Sequence, residues 1–413
     1  MRAIIESAPL TGTIKLPSSK SLTHRALICA MLANSTSSIY NVTYSEDIYA
    51  TINGLKAMGV NVICEEDKIT VTGINKNYNN VTNEFDANES ASTLRFFIPI
   101  CSLTEKPFTI KGTKNLLSRP LDIYKNLIKK EQDKVIVDRK IEAKEYKIVG
   151  DVSSQFISGL LFSLPLLDSD SYITVLEPFE SKSYVYMTIA VMKEFGVDIK
   201  IINNNRFYIK GNQAYKSTDY YLEKDYSQAA FYISLGMFYP LVIPNLNPSS
   251  IQGDKEMLNI IRMLNGKYHF DNNDLITEKS ELVKGTIDIS DCPDLGPILI
   301  ALSAFIKGST KIINVKRLKY KESNRILAMQ EELKKFNISM YVMDNEILVE
   351  GGNGLFSGEE LMCHNDHRIC MALVFMGLLV QEDVIIDGVE CINKSYPNFF
   401  EDLKKIGAKI ILE

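Results

Sequence analysis

Six short segments of the chain each place an Arg or Lys beside a small or hydroxyl residue, where a helix is predicted to begin. Backbone N–H groups at a helix start, together with a nearby guanidinium or ammonium, bind phosphate or carboxylate groups. The formal net charge is -5, so a generally basic surface does not account for these cations. The pattern predicts local anion binding by 17–25, 92–95, 118–120, 321–325, 365–368 and 394–395.

Each segment taken singly is open to a second interpretation. Lys20 and Ser21 fall in the first turn of an apolar helix, with Arg25 on the same face as Ser21. A plain N-cap with solvated cations explains this segment equally well. Glu322 lies between two cations, where proton transfer and anion binding could coincide, and a surface ion-pair helix is the alternative. Arg95 follows small residues and could instead tie two loops together.

Three further polar segments precede apolar helices without adding a cluster of cations. Residues 153–155 and Ser181 offer hydroxyl and amide groups that could bind a polyol or a phosphate. Asp294 stands in a Pro-containing turn before a very apolar helix. Ordinary helix capping is the alternative for all of these residues.

The segment from Cys363 to Cys370 also contains His364 and His367, and Cys and His are zinc ligands. Their spacings do not reproduce a paired zinc motif, and Arg368 is adjacent, so we expect anion binding there and no metal. The chain has seven cysteines, an odd number without repeated close pairs. We expect reduced thiols.

A chain of 413 residues is expected to form about two domains. No apolar run reaches the roughly 18 to 20 residues that span a bilayer, and the first residues lack the apolar core of a secretion signal. We therefore expect a cytoplasmic protein without a membrane partner. The acidic balance also argues against a nucleic-acid partner, which requires clustered positive surface.

One pattern recurs along the chain: an amphipathic helix, a stop that is usually Gly or Asn, a short alternating strand, a turn and a second strand. The stops fall at residues 59, 131, 196, 265, 337 and 407. An interval of about 70 residues is longer than common solenoid repeats, so six units could form two globules of three units each. The alternative is that such elements recur by chance in any α/β protein.

Two places are predicted to be crossings between domains, at 16–19 and at 219–225. A chain that leaves one domain at the first and returns at the second has two covalent hinges beside one cleft. The predicted first domain is therefore 1–17 plus 225–413, and the second is 18–224.

Taken together and in chain order, the segments resemble the enolpyruvyl transferase family over nearly the whole chain, from Leu16 to Pro397. The resemblance implies an α/β fold with two domains, each of three βαβαββ units arranged like an inside-out α/β barrel, and an active site in the interdomain cleft. Within the family, the motifs are similar to members that act on shikimate-3-phosphate. The implied reaction transfers the enolpyruvyl group of phosphoenolpyruvate to the 5-hydroxyl of shikimate-3-phosphate and releases phosphate through a tetrahedral ketal.

The resemblance further implies a step of the shikimate pathway toward chorismate and the aromatic amino acids, no cofactor, a monomer, and domain closure on substrate binding. It assigns shikimate-3-phosphate binding to Lys20, Ser21, Arg25, Ser153, Ser154, Gln155, Ser181, Asp294 and Lys321. It assigns phosphoenolpyruvate binding to Lys20, Ala91, Arg119, Gln155, Arg325, Arg368 and Lys394.

The same resemblance suggests four catalytic residues. Asp294 is the candidate general base at the hydroxyl, and Glu322 is the candidate acid that protonates the methylene carbon. Lys20 and Lys394 could assist the departure of phosphate. The neighbouring Lys321 and Arg325 should lower the pKa of Glu322, which conflicts with an acid role unless burial offsets them.

The chain departs from the family at Ala91, where Gly is usual. The added methyl group should narrow the phosphoenolpyruvate pocket and weaken inhibition by glyphosate, which occupies that pocket. The sister enzymes that act on UDP-N-acetylglucosamine usually have Lys-Asn at the first motif and a reactive Cys in the loop before Arg-Pro. This chain has Lys20-Ser21 and no Cys between Lys106 and Pro120. A non-catalytic anion-binding protein and an enzyme of RNA ends are more distant alternatives.

Overall fold

The computed structural model describes residues 1–74, 76–78, 80–352 and 356–413. The chain divides into two compact units. Unit 1 contains Met1–Pro17 and Glu223–Glu413, and unit 2 contains Ser18–Leu222. In these described ranges, no helix has both the length and the apolar character needed to cross a bilayer.

Unit 1 begins with two strands, β1 (Arg2–Glu6) and β2 (Gly12–Thr13). The chain then forms the three repeats of unit 2. The first repeat consists of α1 (Lys20–Leu32), β3 (Thr36–Tyr40), α2 (Glu46–Ala57), β4 (Asn61–Cys64) and β5 (Lys68–Thr72). The second consists of β6 (Glu84–Asp86), α3 (Ala91–Cys101), β7 (Phe108–Lys111), α4 (Lys114–Ser118), β8 (Ile128–Lys130) and β9 (Lys134–Val137). The third consists of β10 (Glu145–Val149), α5 (Ser154–Ser163), β11 (Ser171–Leu176), α6 (Lys182–Glu194), β12 (Ile199–Asn203) and β13 (Arg206–Ile209), and β14 (Asp219–Tyr221) follows it.

The remainder of unit 1 repeats the same order of elements. Its first repeat consists of α7 (Tyr226–Leu235), β15 (Leu241–Ile243), α8 (Met257–Met263), β16 (Lys267–Asp271) and β17 (Asp274–Glu278). The second consists of β18 (Thr286–Asp288), α9 (Gly296–Ser303), β19 (Gly308–Ile313), α10 (Arg325–Lys334), β20 (Ser339–Val342) and β21 (Glu346–Gly351). The third consists of β22 (Leu361–Met362), α11 (His367–Gly377), β23 (Val384–Asp387), α12 (Phe399–Lys405) and β24 (Lys409–Leu412).

The described strands form six separate four-stranded sheets, three in each unit. In β6-β7-β9-β8, for example, β6 is parallel to β7, while β9 is antiparallel to both β7 and β8. The sheets β10-β11-β13-β12 and β18-β19-β21-β20 have the same βαβαββ connectivity, and each of the other three sheets includes one strand from a distant part of the chain. The predicted α/β fold class with six repeats is confirmed.

In each unit, strands from distant parts of the chain complete a sheet. In unit 2, β14 pairs parallel to β3, with Asp219 opposite Ser38. In unit 1, β1 lies between β23 and β24, and β2 pairs parallel to β15. Through backbone hydrogen bonds, these pairings connect segments of each unit that are far apart in the chain.

Five of the six predicted stops adopt positive φ, which suits the left-handed end of a helix. They are Gly59, Gly196, Asn265, Asn337 and Gly407. The sixth prediction is wrong, because Glu131 lies in the turn between β8 and β9, where its N–H donates to the carbonyl of Lys134 at 2.9 Å. The second helix of that repeat ends at Ser118, before Arg119-Pro120, and Pro disfavours helical conformation in the preceding residue.

Each unit has its own apolar core between its helices and sheets. In unit 2, close packing of α3 and α5 depends on Gly159. A Cβ atom at this position would lie 2.5 Å from the hydroxyl of Tyr124 and 2.6 Å from the carbonyl oxygen of Arg95. The missing side chain therefore lets α5 approach α3 and sets the positions of polar residues at the start of both helices.

Candidate active site

Polar contacts join the N-terminal turns of the helices of unit 2 in pairs. Lys20, the first residue of α1, donates from Nζ to Asp47 Oδ2 in the first turn of α2 at 2.5 Å. Gln155, at the start of α5, donates from Nε2 to Ser92 Oγ, at the start of α3, at 2.9 Å. Because helix N-termini have partial positive charge, this grouping favours bound anions.

Serine hydroxyls cap three of these helices, as the simpler interpretation of the sequence allowed. Ser19, Ser90 and Ser153 accept hydrogen bonds from the backbone N–H groups of Leu22, Thr93 and Gln155. Ser154 is the first residue of α5 and is buried. Ser153 is therefore a helix cap, and substrate binding by Ser153 and Ser154 stays a prediction.

Arg95 holds several predicted site residues in place. Its Nη1 donates to Gln155 Oε1 at 2.8 Å and to Ser153 Oγ at 3.5 Å, and its Nη2 donates to the carbonyl oxygen of Pro120 at 3.4 Å. The guanidinium also lies 4.8 Å from the ring centre of Phe156. Arg95 thus ties together the starts of α3 and α5 and the segment after α4, as one of the two interpretations of the sequence proposed.

Arg25 is buried within the helix layer of unit 2. It donates from Nε to Thr188 Oγ1 at 2.8 Å, from Nη1 to the carbonyl of Ser21 at 2.7 Å, and from Nη2 to the carbonyl of Tyr184 at 3.0 Å. Burial lowers its pKa to about 10. These contacts connect α1 to α6, so the described role of Arg25 is structural, and contact with substrate stays a prediction.

Arg119 lies at the end of α4 and is largely buried. Its Nη2 is 3.8 Å from Glu89 Oε2. A cavity of about 320 Å³ opens beside it and also contains Lys125 and Lys130 in its lining. Three basic side chains against one carboxylate, Asp122, make the surroundings of this cavity favourable for an anion.

Two more predicted residues of unit 2 lie at helix starts. Ser181 precedes α6 and is buried in a left-handed conformation with φ 53°. Such a backbone is uncommon for Ser and is found preferentially at functional sites. Ala91 is the first residue of α3 and is partly exposed, so its methyl group lies beside the N–H groups that open the helix.

The cations of unit 1 are paired mainly with carboxylates. Arg325, the first residue of α10, is 1% exposed. It donates from Nε to Asp366 Oδ2 at 2.8 Å and from Nη2 to Glu322 Oε2 at 2.9 Å. Burial alone would lower the pKa of Arg325, but Asp366, Glu322 and Asp294 raise it above its ordinary value. Asp366 also caps α11 by accepting from the N–H of Arg368 at 2.9 Å.

Asp294 is the centre of this cluster. Its Oδ1 accepts from Lys321 Nζ at 2.8 Å and from Arg325 Nη1 at 3.3 Å. Its Oδ2 accepts from Arg368 Nη2 at 3.2 Å. Burial would raise the pKa of Asp294, but the charges of Arg368, Lys321 and Arg325 outweigh burial and hold that pKa well below its usual range. Asp294 is therefore ionised at neutral pH.

A second buried carboxylate, Asp254, was missed by sequence reasoning. It lies in a short 3₁₀ helix, Gly253–Glu256, and accepts a hydrogen bond from Ser227. Burial and the charge of Asp294 raise its pKa to about 6, against the opposing effect of Arg368. The sequence offered no signal for Asp254, because its relation to Asp294 exists only in the folded unit.

Lys394 and Glu322 complete the predicted set in unit 1. Lys394 ends a short 3₁₀ helix, Val389–Lys394, and is buried. Glu322 is mostly buried and bonds to Arg325, whereas the ammonium of Lys321 contacts Asp294. Lys321, Arg325, Arg368, Asp294 and Glu322 therefore form one cluster, which can bind anionic groups and exchange protons.

Two solved structures that are similar to this chain place it in a class of folds. An EPSP synthase from Acinetobacter baumannii matches with a TM-score of 0.81 and 21% identity over 100% of both chains. The enolpyruvyl transferase NikO from Streptomyces tendae matches with a TM-score of 0.79 and 15% identity, over 99% of this chain and 98% of NikO. The fold is that of the two-domain enolpyruvyl transferases.

Sequence comparison identifies the particular family. A family model described as EPSP synthase (3-phosphoshikimate 1-carboxyvinyltransferase) matches residues 4–403. A 3-phosphoshikimate 1-carboxyvinyltransferase of Clostridium beijerinckii is 41% identical over 96% of this chain and 95% of its own length. The enzyme of the same name from Clostridium acetobutylicum is 42% identical, over 97% of this chain and 96% of its own length. The chain belongs to the EPSP synthase family, which confirms the family resemblance drawn from its motifs.

Proposed function

We propose that this chain transfers the enolpyruvyl group of phosphoenolpyruvate to the 5-hydroxyl of shikimate-3-phosphate and releases inorganic phosphate. The observation that carries this proposal is the cluster around Asp294, where an ionised carboxylate contacts three cations. Both substrates have a phosphate and a carboxylate, and a phosphate monoester has a charge of about −1.5 to −2 at neutral pH. Two such molecules require the dense cationic compensation that both units provide.

We assign the binding roles by unit. In unit 2, Lys20, Ser21, Arg25, Ser153, Ser154, Gln155 and Ser181 bind shikimate-3-phosphate, and Arg119 and Ala91 border phosphoenolpyruvate together with Lys20 and Gln155. In unit 1, Asp294 and Lys321 bind shikimate-3-phosphate, while Arg325, Arg368 and Lys394 bind phosphoenolpyruvate. Both sets are assigned to the same pair of substrates.

The proton transfers of the reaction balance with two acid–base groups. Asp294 accepts the proton of the 5-hydroxyl while the hydroxyl oxygen attacks C2 of phosphoenolpyruvate. Glu322 donates a proton to the C3 methylene carbon. These steps form the tetrahedral ketal. Loss of phosphate and of one C3 proton, taken back by Glu322, restores the double bond, and the departing phosphate takes up the proton that Asp294 had accepted. The cationic groups of Lys20 and Lys394 stabilise the departing phosphate.

Substrate binding also activates Asp294. With three cations in contact, its carboxylate is ionised but weakly basic, because those cations stabilise the charged form. Phosphoenolpyruvate groups that accept hydrogen bonds from Arg368 and Arg325, and shikimate-3-phosphate groups that accept from Lys321, compete with Asp294 for these donors. The pKa of Asp294 then rises toward that of an ordinary carboxylate, so a stronger base appears only when both substrates are bound.

A phosphate-release assay with purified protein tests the function. Release that requires both shikimate-3-phosphate and phosphoenolpyruvate is expected. Phosphate release with UDP-N-acetylglucosamine in place of shikimate-3-phosphate would move the assignment to the sister reaction. If neither acceptor supported phosphate release, both assignments would be rejected. We further propose a cytoplasmic monomer, and a sedimentation experiment at assay concentration that finds a dimer would contradict the monomer.

A further inference from the structure

Three cysteines from separate segments of unit 1 meet at one point. Cys363 follows β22, Cys370 lies on α11, and Cys391 lies in the 3₁₀ helix Val389–Lys394. Their three sulfur atoms all lie within 4.8 Å of one another. The side chains of Cys363 and Cys370 are fully buried, and Cys391 is partly exposed. The cluster therefore has a buried floor and one side that solvent can reach.

The spacing of the sulfur atoms suits a thiophilic metal ion. Zinc–thiolate bonds are about 2.3 Å long, so two thiolates on one tetrahedral ion stand about 3.8 Å apart. Separations of at most 4.8 Å can reach this value through small side-chain rotations. The backbone is already fixed around the cluster, since the N–H of Cys363 donates to Asp387 at 3.0 Å and that of Cys370 to Asp366 at 2.9 Å.

The local chemistry also favours a cation. Asp366 and Glu390 add negative charge near the sulfur of Cys391. A thiolate is the form of Cys that ligates metals, and soft thiolate sites select zinc and monovalent copper.

We propose that Cys363, Cys370 and Cys391 form a binding site for one thiophilic d10 cation, Zn²⁺ or Cu⁺. On binding, the cation takes three thiolate ligands, and the protons of the thiols are released to solvent. Zn²⁺ takes a water molecule as its fourth ligand from the exposed side, while Cu⁺ is satisfied by three thiolates. This inference goes beyond the transferase reaction and does not depend on it.

The site connects two segments that have predicted substrate cations. Cys370 lies two residues after Arg368 on α11, and Cys391 lies three residues before Lys394. A bound ion would join the start of α11 to the 3₁₀ helix of Lys394. We therefore expect the ion to stabilise this part of unit 1 against thermal unfolding.

The test uses the full-length protein, reduced and treated with a chelator. Titration with Co²⁺, a spectroscopic substitute for Zn²⁺, is expected to give a thiolate-to-cobalt charge-transfer band that saturates at one ion per chain. Zn²⁺ and Cu⁺ should each abolish the band by competition, and their relative affinities identify the preferred ion. The variant Cys391→Ser, checked by circular dichroism, is expected to lose more than the roughly 10-fold in affinity that outer-shell partners are worth.

Two control variants distinguish other modes of binding. Cys64→Ser removes an exposed thiol in unit 2, and His364→Gln removes the imidazole of a separate group formed with Glu331 and Glu332. Both should bind Co²⁺ like the unaltered protein. Absence of the band in the unaltered protein, or an unchanged affinity for Co²⁺ in Cys391→Ser, would overturn the proposal.

Alkylation of the unaltered protein provides a measurement that needs no variant. Zn²⁺ is expected to slow the modification of Cys391 at least about 10-fold, as read by peptide mass spectrometry. Cys64 in the same molecule is the reference and should react at an unchanged rate. Equal protection of Cys64 and Cys391, or protection of neither, would count against a site at the three cysteines.

Discussion

The two units each bury an arginine in a helix, and they satisfy its charge by different means. In unit 1, Arg325 is surrounded by carboxylates and contacts Asp294, Glu322 and Asp366. In unit 2, the comparably buried Arg25 donates to a hydroxyl and two carbonyls. One buried arginine thus has opposed full charges around it and the other has neutral acceptors. The charged surroundings are suited to proton transfer and the neutral ones to fixed geometry.

The difference appears directly in the pKa values of the two arginines. Carboxylates raise the pKa of Arg325 although burial opposes them, whereas burial lowers the pKa of Arg25 to about 10 because no carboxylate offsets it. A buried charge without a carboxylate is tolerable only when its hydrogen bonds are well satisfied. Four expected outcomes test this contrast, from the largest effect to the smallest.

The first outcome compares two carboxylates that each contact a predicted substrate lysine. Asp294→Asn in unit 1 should lower kcat by about 10² to 10⁴ because it removes a general base. Asp47→Asn in unit 2 should lower kcat only about tenfold, which corresponds to one hydrogen bond to a charged group, because it only weakens the positioning of Lys20. Steady-state phosphate release measures both. Equal losses in the two variants would contradict the assignment of Asp294 as the base.

The second outcome compares the buried arginines themselves. Arg325→Met should lower the free energy of unfolding by about 3 to 5 kcal/mol, because it leaves buried carboxylates uncompensated. Arg25→Met should cost about 2 to 3 kcal/mol, because it leaves only neutral acceptors unpaired. Urea unfolding checks both values. A larger loss for Arg25→Met would reverse the proposed contrast between the units.

The third outcome concerns Ala91, at the start of α3 in unit 2. Ala91→Gly removes one methyl group beside the proposed phosphoenolpyruvate pocket and should tighten glyphosate inhibition roughly tenfold, the scale of one methyl group in a fitted pocket. The KM for phosphoenolpyruvate should fall or stay the same. Inhibition constants measured in parallel for the two proteins decide the point, and identical constants would exclude a steric role for Ala91.

The fourth outcome is a pH dependence of thermal stability that arises from a buried pair in unit 1. Glu332 is fully buried and accepts from His364 Nε2 at 2.8 Å and from Lys335 Nζ at 3.0 Å. Burial would raise the pKa of Glu332, but its hydrogen bonds from His364 and Lys335 lower it. The bond to Glu332 raises the pKa of His364.

The signs of these shifts define a pH window. The contribution of Glu332 to folding stability is present above the pKa that Glu332 has in the unfolded chain. It is lost as pH falls through the lower pKa that Glu332 has in the folded protein. The contribution of His364 is present below its unfolded pKa and is lost as pH rises through its higher folded pKa. The difference in Tm between the unaltered protein and Glu332→Gln should therefore be largest between about pH 4.5 and 6.5. A constant difference from pH 4 to 9 would contradict this pairing.

The sequence predicted the helix stops of the repeats correctly where a stop depends only on the conformation of a single residue. Gly196 and Asn337 end their helices as predicted, because a left-handed residue requires only its own backbone freedom. The prediction failed at Glu131, which has the flanking polarity of a stop but follows a strand. There the Pro after Arg119 had already ended a short helix, and spacing alone could not show it.

The residues of the candidate site also fall into those that local sequence patterns predicted and those that they did not. Helix-start positions of Lys20, Ser153 and Arg325 follow from capping residues and apolar runs, so their sequence prediction is sound. Asp254 could not be predicted, because its elevated pKa depends on burial and on the charge of Asp294, which is distant in the chain. Cys391 was likewise not considered together with Cys363 and Cys370, where no metal was expected, because it approaches them only after folding.

The sequence by itself determined the βαβαββ repeat, the family and the types of charged group at the helix starts, because each depends on short-range patterns along the chain. Only the tertiary structure decided which carboxylate faces which cation. It set Asp294 against Lys321, Arg325 and Arg368, Asp47 against Lys20, and three cysteine sulfurs against one another. Coulomb energy and desolvation depend on distance and burial, and residues far apart in the chain acquire both only when the helices pack.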